Sequence, residues 1–98
     1  MIGIDPYIID TLMPDLVGHD RRPSAFLVYL YLWRHRSSRA GIHSLRAIAE
    51  GTGLSKRAVQ DGLSRLEQRR LVTISRASIT AVPGYKIHRP WDRGRMNK

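Results

Sequence analysis

A mainly α-helical fold closed by a small β-hairpin is predicted by three stretches of this 98-residue chain. Residues 43–72, HSLRAIAEGTGLSKRAVQDGLSRLEQRRLV, read as two short helices joined by a tight turn and leading into a strand. An apolar run, PSAFLVYLYLWRH, precedes them, with Pro23 suited to the first helical position. After them, LVTIS alternates and is β-branched, which predicts a strand over 71–75.

Each helix of the central pair shows one buried face and two ends. Leu45, Ile48 and Ala49 share a face of the first, and Val59, Leu63 and Leu66 share a face of the second. Ser44 and Ser55 stand where an N-cap hydroxyl accepts from an orphan N–H. Leu54 and Val59, at N′ and N4 around Ser55, form a hydrophobic staple that sets the entry angle of the second helix. Gly51-Thr52-Gly53 supplies glycine where the backbone turns sharply, with φ > 0 expected there.

The helix from Pro23 to about His35 has hardly any polar face: Phe26, Leu27, Val28, Leu30, Leu32 and Trp33 surround it. It is either central to the core or covered by another chain, and a compact core in so short a chain favours the first. Its cap is Asp20 or Arg22. Residues 1–20 form an arm that packs on the domain or on a partner subunit. Pro6 and Pro14 break any long regular helix there, so an extended or short-strand stretch is expected around Tyr7 to Ile9, then a short helix near Thr11 to Val17 with Pro14 in its first turn. Arg34 to Gly41 is a polar basic connector. A second strand is expected over Tyr85 to His88, preceded by Val82-Pro83-Gly84-Tyr85 as a type II turn; Arg76 to Ala81 is loop or a further short strand. Residues 21–89 therefore make one domain, and 90–98 a basic tail.

Charge is distributed unevenly. The net value is +9, yet through residue 20 the only charged side chains are Asp5, Asp10, Asp15 and Asp20. All seventeen Lys and Arg lie beyond, against four acids (Glu50, Asp61, Glu67 and Asp92), which leaves +13 for residues 21–98. That balance favours a polyanionic partner. The four early aspartates look like solvated turn and cap positions, since a period of five is not one face of an α-helix; the alternatives are that they repel DNA from that side or pair with the basic body. The chain has no cysteine, hence no disulfide or thiolate metal site. No apolar run reaches spanning length and the acidic start is unlike a signal peptide, so a cytoplasmic, nucleoid-associated location is expected.

Helix, helix-turn-helix, then hairpin is the order of a winged helix domain. From about Arg22 to Ile87, through PSAFLVYLYL, SLRAIAEGTGLSKRAVQDGLSRLEQRRLV and YKI, the chain resembles the bacterial winged helix-turn-helix family of transcription regulators and phage or plasmid replication initiators. The resemblance implies that the helix from Lys56 to about Arg69 enters the major groove and that a wing over about Val72 to His88 touches backbone or minor groove. Two departures stand out: Arg70 where a glycine is usual before the strand, and Arg22 where a capping Ser or Thr is common.

On the polar side of the second helix lie Arg57, Asp61, Ser64 and Gln68, flanked by Lys56, Gln60 and Arg65. The base-contact candidates are Lys56, Arg57, Gln60, Asp61 and Ser64, weighted to the first turns. Arg57 suits guanine and Gln60 adenine, each contact worth roughly 1–3 kcal/mol of discrimination. Asp61 either accepts from a cytosine amino group or pairs with Arg57 or Arg65 at i,i+4. The phosphate-contact candidates are Ser44, Arg46, Ser55, Arg65, Arg76 and Lys86, while Arg34, Arg36 and Arg39 add nonspecific affinity.

His19, His35, His43 and His88 show no metal-ligand spacing, and no phosphate loop, nucleophile elbow or paired carboxylates are evident, so no metal, cofactor, small-molecule ligand or enzymatic activity is expected. The function expected is sequence-specific binding of double-stranded DNA by a transcriptional regulator, as a homodimer joined through the arm or the helix 23–35. The alternatives are the DNA-binding module of a replication initiator and a winged helix used for protein assembly.

Overall fold

The computed structural model describes residues 3–36, 44–75 and 84–90. Three α-helices, α1 (Pro23–Arg34), α2 (Leu45–Thr52) and α3 (Lys56–Gln68), are followed by strands β1 (Val72–Ser75) and β2 (Gly84–Ile87). The strands pair antiparallel as a wing, with Val72 opposite Ile87, Thr73 opposite Lys86, Ile74 opposite Tyr85 and Ser75 opposite Gly84. Val72, Ile74, Tyr85 and Ile87 face the core, whereas Thr73 and Lys86 are exposed. The fold is a winged helix-turn-helix.

The arm departs from its expected form. Helix begins at Pro6, so the extended stretch expected around Tyr7 to Ile9 is helical instead. Asp5 explains the start: its Oδ1 accepts from the Tyr7 N–H at 3.1 Å and its carbonyl from the Ile8 N–H at 2.9 Å, with Pro6 in the first helical position. The winding is π, over Ile8–Leu12 and again over Pro14–His19. Pro14, which has no N–H to donate, falls where the first stretch gives way to the second. Helix thus extends on both sides of the expected Thr11 to Val17. Ile8, Leu12 and Leu16 are buried against the domain.

Helix α1 runs through the core. Ala25, Phe26, Val28, Tyr29, Leu32 and Trp33 are buried, and only Leu27 of its large apolar residues is strongly exposed. Of the two coverings expected for this helix, the chain's own core provides it. Tyr29 is fully buried, and its Oη donates to the His88 carbonyl at 3.0 Å, tying α1 to the end of the wing; burial also raises its pKa. The Trp33 Nε1–H donates to the Gly3 carbonyl at 2.7 Å and holds the start of the arm. Arg36 stacks on the same indole with Cζ 4.0 Å from the ring centre, so this connector arginine is engaged in packing.

Helices α1 and α3 approach closely at Gly62. A Cβ there would lie 3.0 Å from the Ser24 carbonyl oxygen and 3.2 Å from the Ala25 backbone. The buried stripe of α3 is Val59, Gly62, Leu63 and Leu66, the expected set with the glycine added.

Candidate nucleic-acid interface

Both N-caps form as expected. Ser44 Oγ accepts from the Ala47 N–H at 3.0 Å, and Ser55 Oγ accepts from the Ala58 N–H at 3.1 Å. Between them, Gly53 sits at φ +80°, the left-handed position that ends α2, with its N–H on the Ala49 carbonyl at 2.8 Å. The Thr52 hydroxyl completes the turn, donating to the Ile48 carbonyl at 2.7 Å and accepting from the Leu54 N–H at 3.3 Å. The joint between the two helices is therefore fixed by local hydrogen bonds. Leu54 packs at the core's edge and Val59 is buried within it, where the staple requires them.

The far end of α3 is a Schellman motif: the Leu71 N–H bonds the Leu66 carbonyl at 2.9 Å and the Arg70 N–H bonds the Glu67 carbonyl at 3.0 Å. Arg70 takes φ +58°. This is the residue that stands where glycine is usual, so the substitution leaves the turn intact and gives an arginine the strained conformation. Arg22, the second departure, is the N-cap of α1 with no capping side chain. Its carbonyl accepts from the Ala25 and Phe26 N–H groups.

The side chains of Lys56, Arg57, Gln60, Asp61 and Ser64 lie on the exposed surface of α3, and among the described residues they make no side-chain hydrogen bond or ion pair. This holds for Asp61 too: neither Arg57 nor Arg65 pairs with it. Arg65 instead faces Asp20, with Nε 3.9 Å from Oδ2. Arg46 forms an exposed pair with Glu50 at 3.1 Å, an attachment weak enough to yield to a phosphate. Lys86 is exposed on β2. Arg76, Arg39, His43 and the expected turn over 82–85 lie wholly or partly outside the described residues.

One constellation realises the expected alternative that early aspartates pair with the basic body, at a place the sequence does not specify. Arg69, the C-cap of α3, is bound by both Asp15 and Asp20 of the arm, through a short contact with Asp15 Oδ2 and a 3.4 Å bond to Asp20 Oδ1. The five-residue spacing that places two aspartates on different faces of an α-helix stacks them in a winding whose hydrogen bonds run from i to i+5, such as Asp20 N–H to Asp15 carbonyl at 2.8 Å. His19 Nδ1 lies 3.0 Å from Asp20 Oδ1. The hydrogen bond with His19 depresses the Asp20 pKa, and Arg69 and Arg65 add to this against the opposing effect of burial. Asp15, His19 and Asp20 bring ligand-type atoms within 4.8 Å of one another. The cation that both carboxylates hold is the Arg69 guanidinium.

Helix α3 thus offers a polar face whose side chains the other described residues leave unpaired, clasped at its C-terminal end by an acidic arm. Among the described residues, no helix is long and apolar enough to cross a membrane. A family model described as a helix-turn-helix domain matches residues 22–72, more than half of the chain. No curated protein and no solved structure matches at a significant level.

Proposed function

The chain belongs to the helix-turn-helix domain family, and from that premise we propose that it is a sequence-specific double-stranded DNA-binding protein acting as a transcriptional regulator. Family membership supports DNA as the partner. The observation that carries the finer reading is the exposed row of Lys56, Arg57, Gln60, Asp61 and Ser64, unpaired among the described residues, on a helix whose start is fixed by the Ser55 cap. Because the helix backbone is already fixed, no ordering of main chain is needed to bring this row to base edges, and the side chains of the first turns are the best placed. In this reading α3 lies in the major groove, Arg57 and Gln60 read bases, Ser44, Ser55 and Arg46 meet phosphates, and Lys86 carries the wing's contact.

Arg65 is assigned a smaller share, because Asp20 already faces it. A homodimer on two half-sites supplies the affinity that one short helix lacks. Among the described residues, the apolar surfaces that suit it are Leu27 and the exposed Ile4, Tyr7, Ile9 and Val17 of the arm, since the remaining apolar side of α1 is spent on the core. That burial also weakens the alternative of an assembly module built on α1.

Titration of duplex DNA over a range of salt concentrations tests the proposal. A steep log–log dependence is expected, reduced by about one on replacement of Lys56, which at the N-terminus of α3 also suits a phosphate. Absent or salt-independent binding overturns it. Selection of bound sequences from a random pool then gives the half-site, and sedimentation gives the oligomeric state. Protection of repeated origin sites in place of a promoter operator would favour the initiator role.

A further inference from the structure

Resting on the DNA-binding reading above, we infer that Arg22, which lies outside the two-helix motif, is part of the DNA-binding surface and clamps the phosphate backbone of the strand bordering the groove that α3 enters. Arg22 lines one polar cleft of about 240 Å³ together with Asp61, Ser64, Arg65 and Gln68, the outer side of α3. The close approach at Gly62 creates this juxtaposition: with no Cβ on α3 at that point, the start of α1 reaches the level of Asp61.

The residue is held ready. Its N–H donates to the Leu16 carbonyl at 2.8 Å and its carbonyl accepts from two N–H groups of α1, so its backbone is fixed from both sides. One guanidinium N–H rests on the Arg21 carbonyl at 3.3 Å, and the side chain is exposed. No carboxylate pairs with it among the described residues, although Asp61 borders the same cleft.

Its cationic neighbours differ in this respect. Arg65 and Arg69 are both spent on the arm's aspartates, and Arg22 is the arginine of the cleft whose charge remains available. A guanidinium so placed beside the polar face of α3 suits a phosphate oxygen, which it meets through paired N–H groups. Such a contact positions the duplex against α3 without reading sequence.

The test compares Arg22→Gln, Arg70→Gln and Lys56→Gln with the parent chain on a random-sequence duplex of about 30 base pairs, between about 50 and 200 mM salt. Arg22→Gln is expected to weaken binding roughly 5- to 10-fold near 0.1 M salt and to lower the log–log slope by about one. Arg70→Gln, which removes an exposed arginine from the far end of α3, changes binding less. An Arg22→Gln effect no larger than that of Arg70→Gln, with Lys56→Gln still impaired, overturns the inference and leaves the DNA-binding reading standing. Failure of the parent chain to bind any duplex overturns both. Because the chain has no cysteine, Arg22→Cys carrying an iron-chelate cleavage label gives a second readout. Backbone cuts at the edge of the bound site are expected, and their absence from a bound complex overturns the inference.

Discussion

Asp20 Oδ1 accepts a hydrogen bond from Arg69 Nη1 at 3.4 Å across 49 residues of sequence, with an aspartate side chain only 5% exposed. Asp20→Asn is expected to cost about 1 kcal/mol near neutral pH, as loss of a charge-assisted bond does. The Asp20 pKa is lowered in the fold, so its contribution is present above the ordinary value of 3.8 and fades as pH falls through the lower folded value. Urea unfolding as a function of pH should therefore show parent and variant converging in acid. A gap that stays constant or widens there would remove Asp20 from the linkage.

Arg70→Gly should stabilise the protein. The left-handed φ of Arg70 costs an L-residue about 1 kcal/mol or more, and glycine relieves it while giving back part in unfolded-chain entropy. A net gain of about 0.5 kcal/mol, or roughly 2–4 °C in Tm, is expected in calorimetry.

Ser55→Ala removes the α3 cap and should cost about 1 kcal/mol, whereas Ser55→Asn should cost little. Ser55→Asp separates the cap from a phosphate contact: stability is retained, and duplex affinity falls because the new carboxylate faces the phosphates. Unchanged affinity would restrict Ser55 to its structural task.

Tyr29→Phe deletes the bond to the His88 carbonyl and should lower stability by about 1 kcal/mol. Hydrogen exchange localises the effect. The His88 amide, bonded to the Leu71 carbonyl at 2.8 Å, should lose protection more than amides in α2.

Asp61→Asn should raise affinity for random-sequence duplex several-fold at low salt, because an exposed and unpaired carboxylate then no longer repels the polyanion. A simultaneous loss on the selected site alone would identify a cytosine amino group as its partner.

What the sequence made legible is mostly local. Serine caps, the Gly53 turn and the apolar stripes of α2 and α3 are set by neighbours within four residues, and each formed as expected. The arm differs from its expected form because Pro6 and Pro14, which argue against a long regular helix, sit at a helix start behind Asp5 and at the junction of two π stretches, and because a five-residue repeat has meaning only once the winding is π. Tyr29 was passed over as a core residue because the sequence does not display the distant carbonyl that satisfies its hydroxyl. That aspartates of the arm pair with the basic body is legible as an alternative, but the choice of Arg69 as partner and the Arg22 cleft are not, because each joins residues some 40 or more positions apart. The exposed positions of the candidate site residues on α3 followed from the helical wheel; that Asp61 has no partner among the described residues needed the structure.

The Trp33–Gly3, Arg69–Asp20 and Arg69–Asp15 bonds that fasten the arm span 30, 49 and 54 residues. Closing such long loops brings no return until α1 and α3 are already in place, so these three fastenings are expected to form late on the folding route. Substitutions at these fastenings should consequently steepen the loss of the native state while leaving its rate of formation nearly untouched. On that expectation the arm from residue 3 to 20 is a latch on lifetime: how long a folded molecule persists would be set there, away from the exposed face of α3.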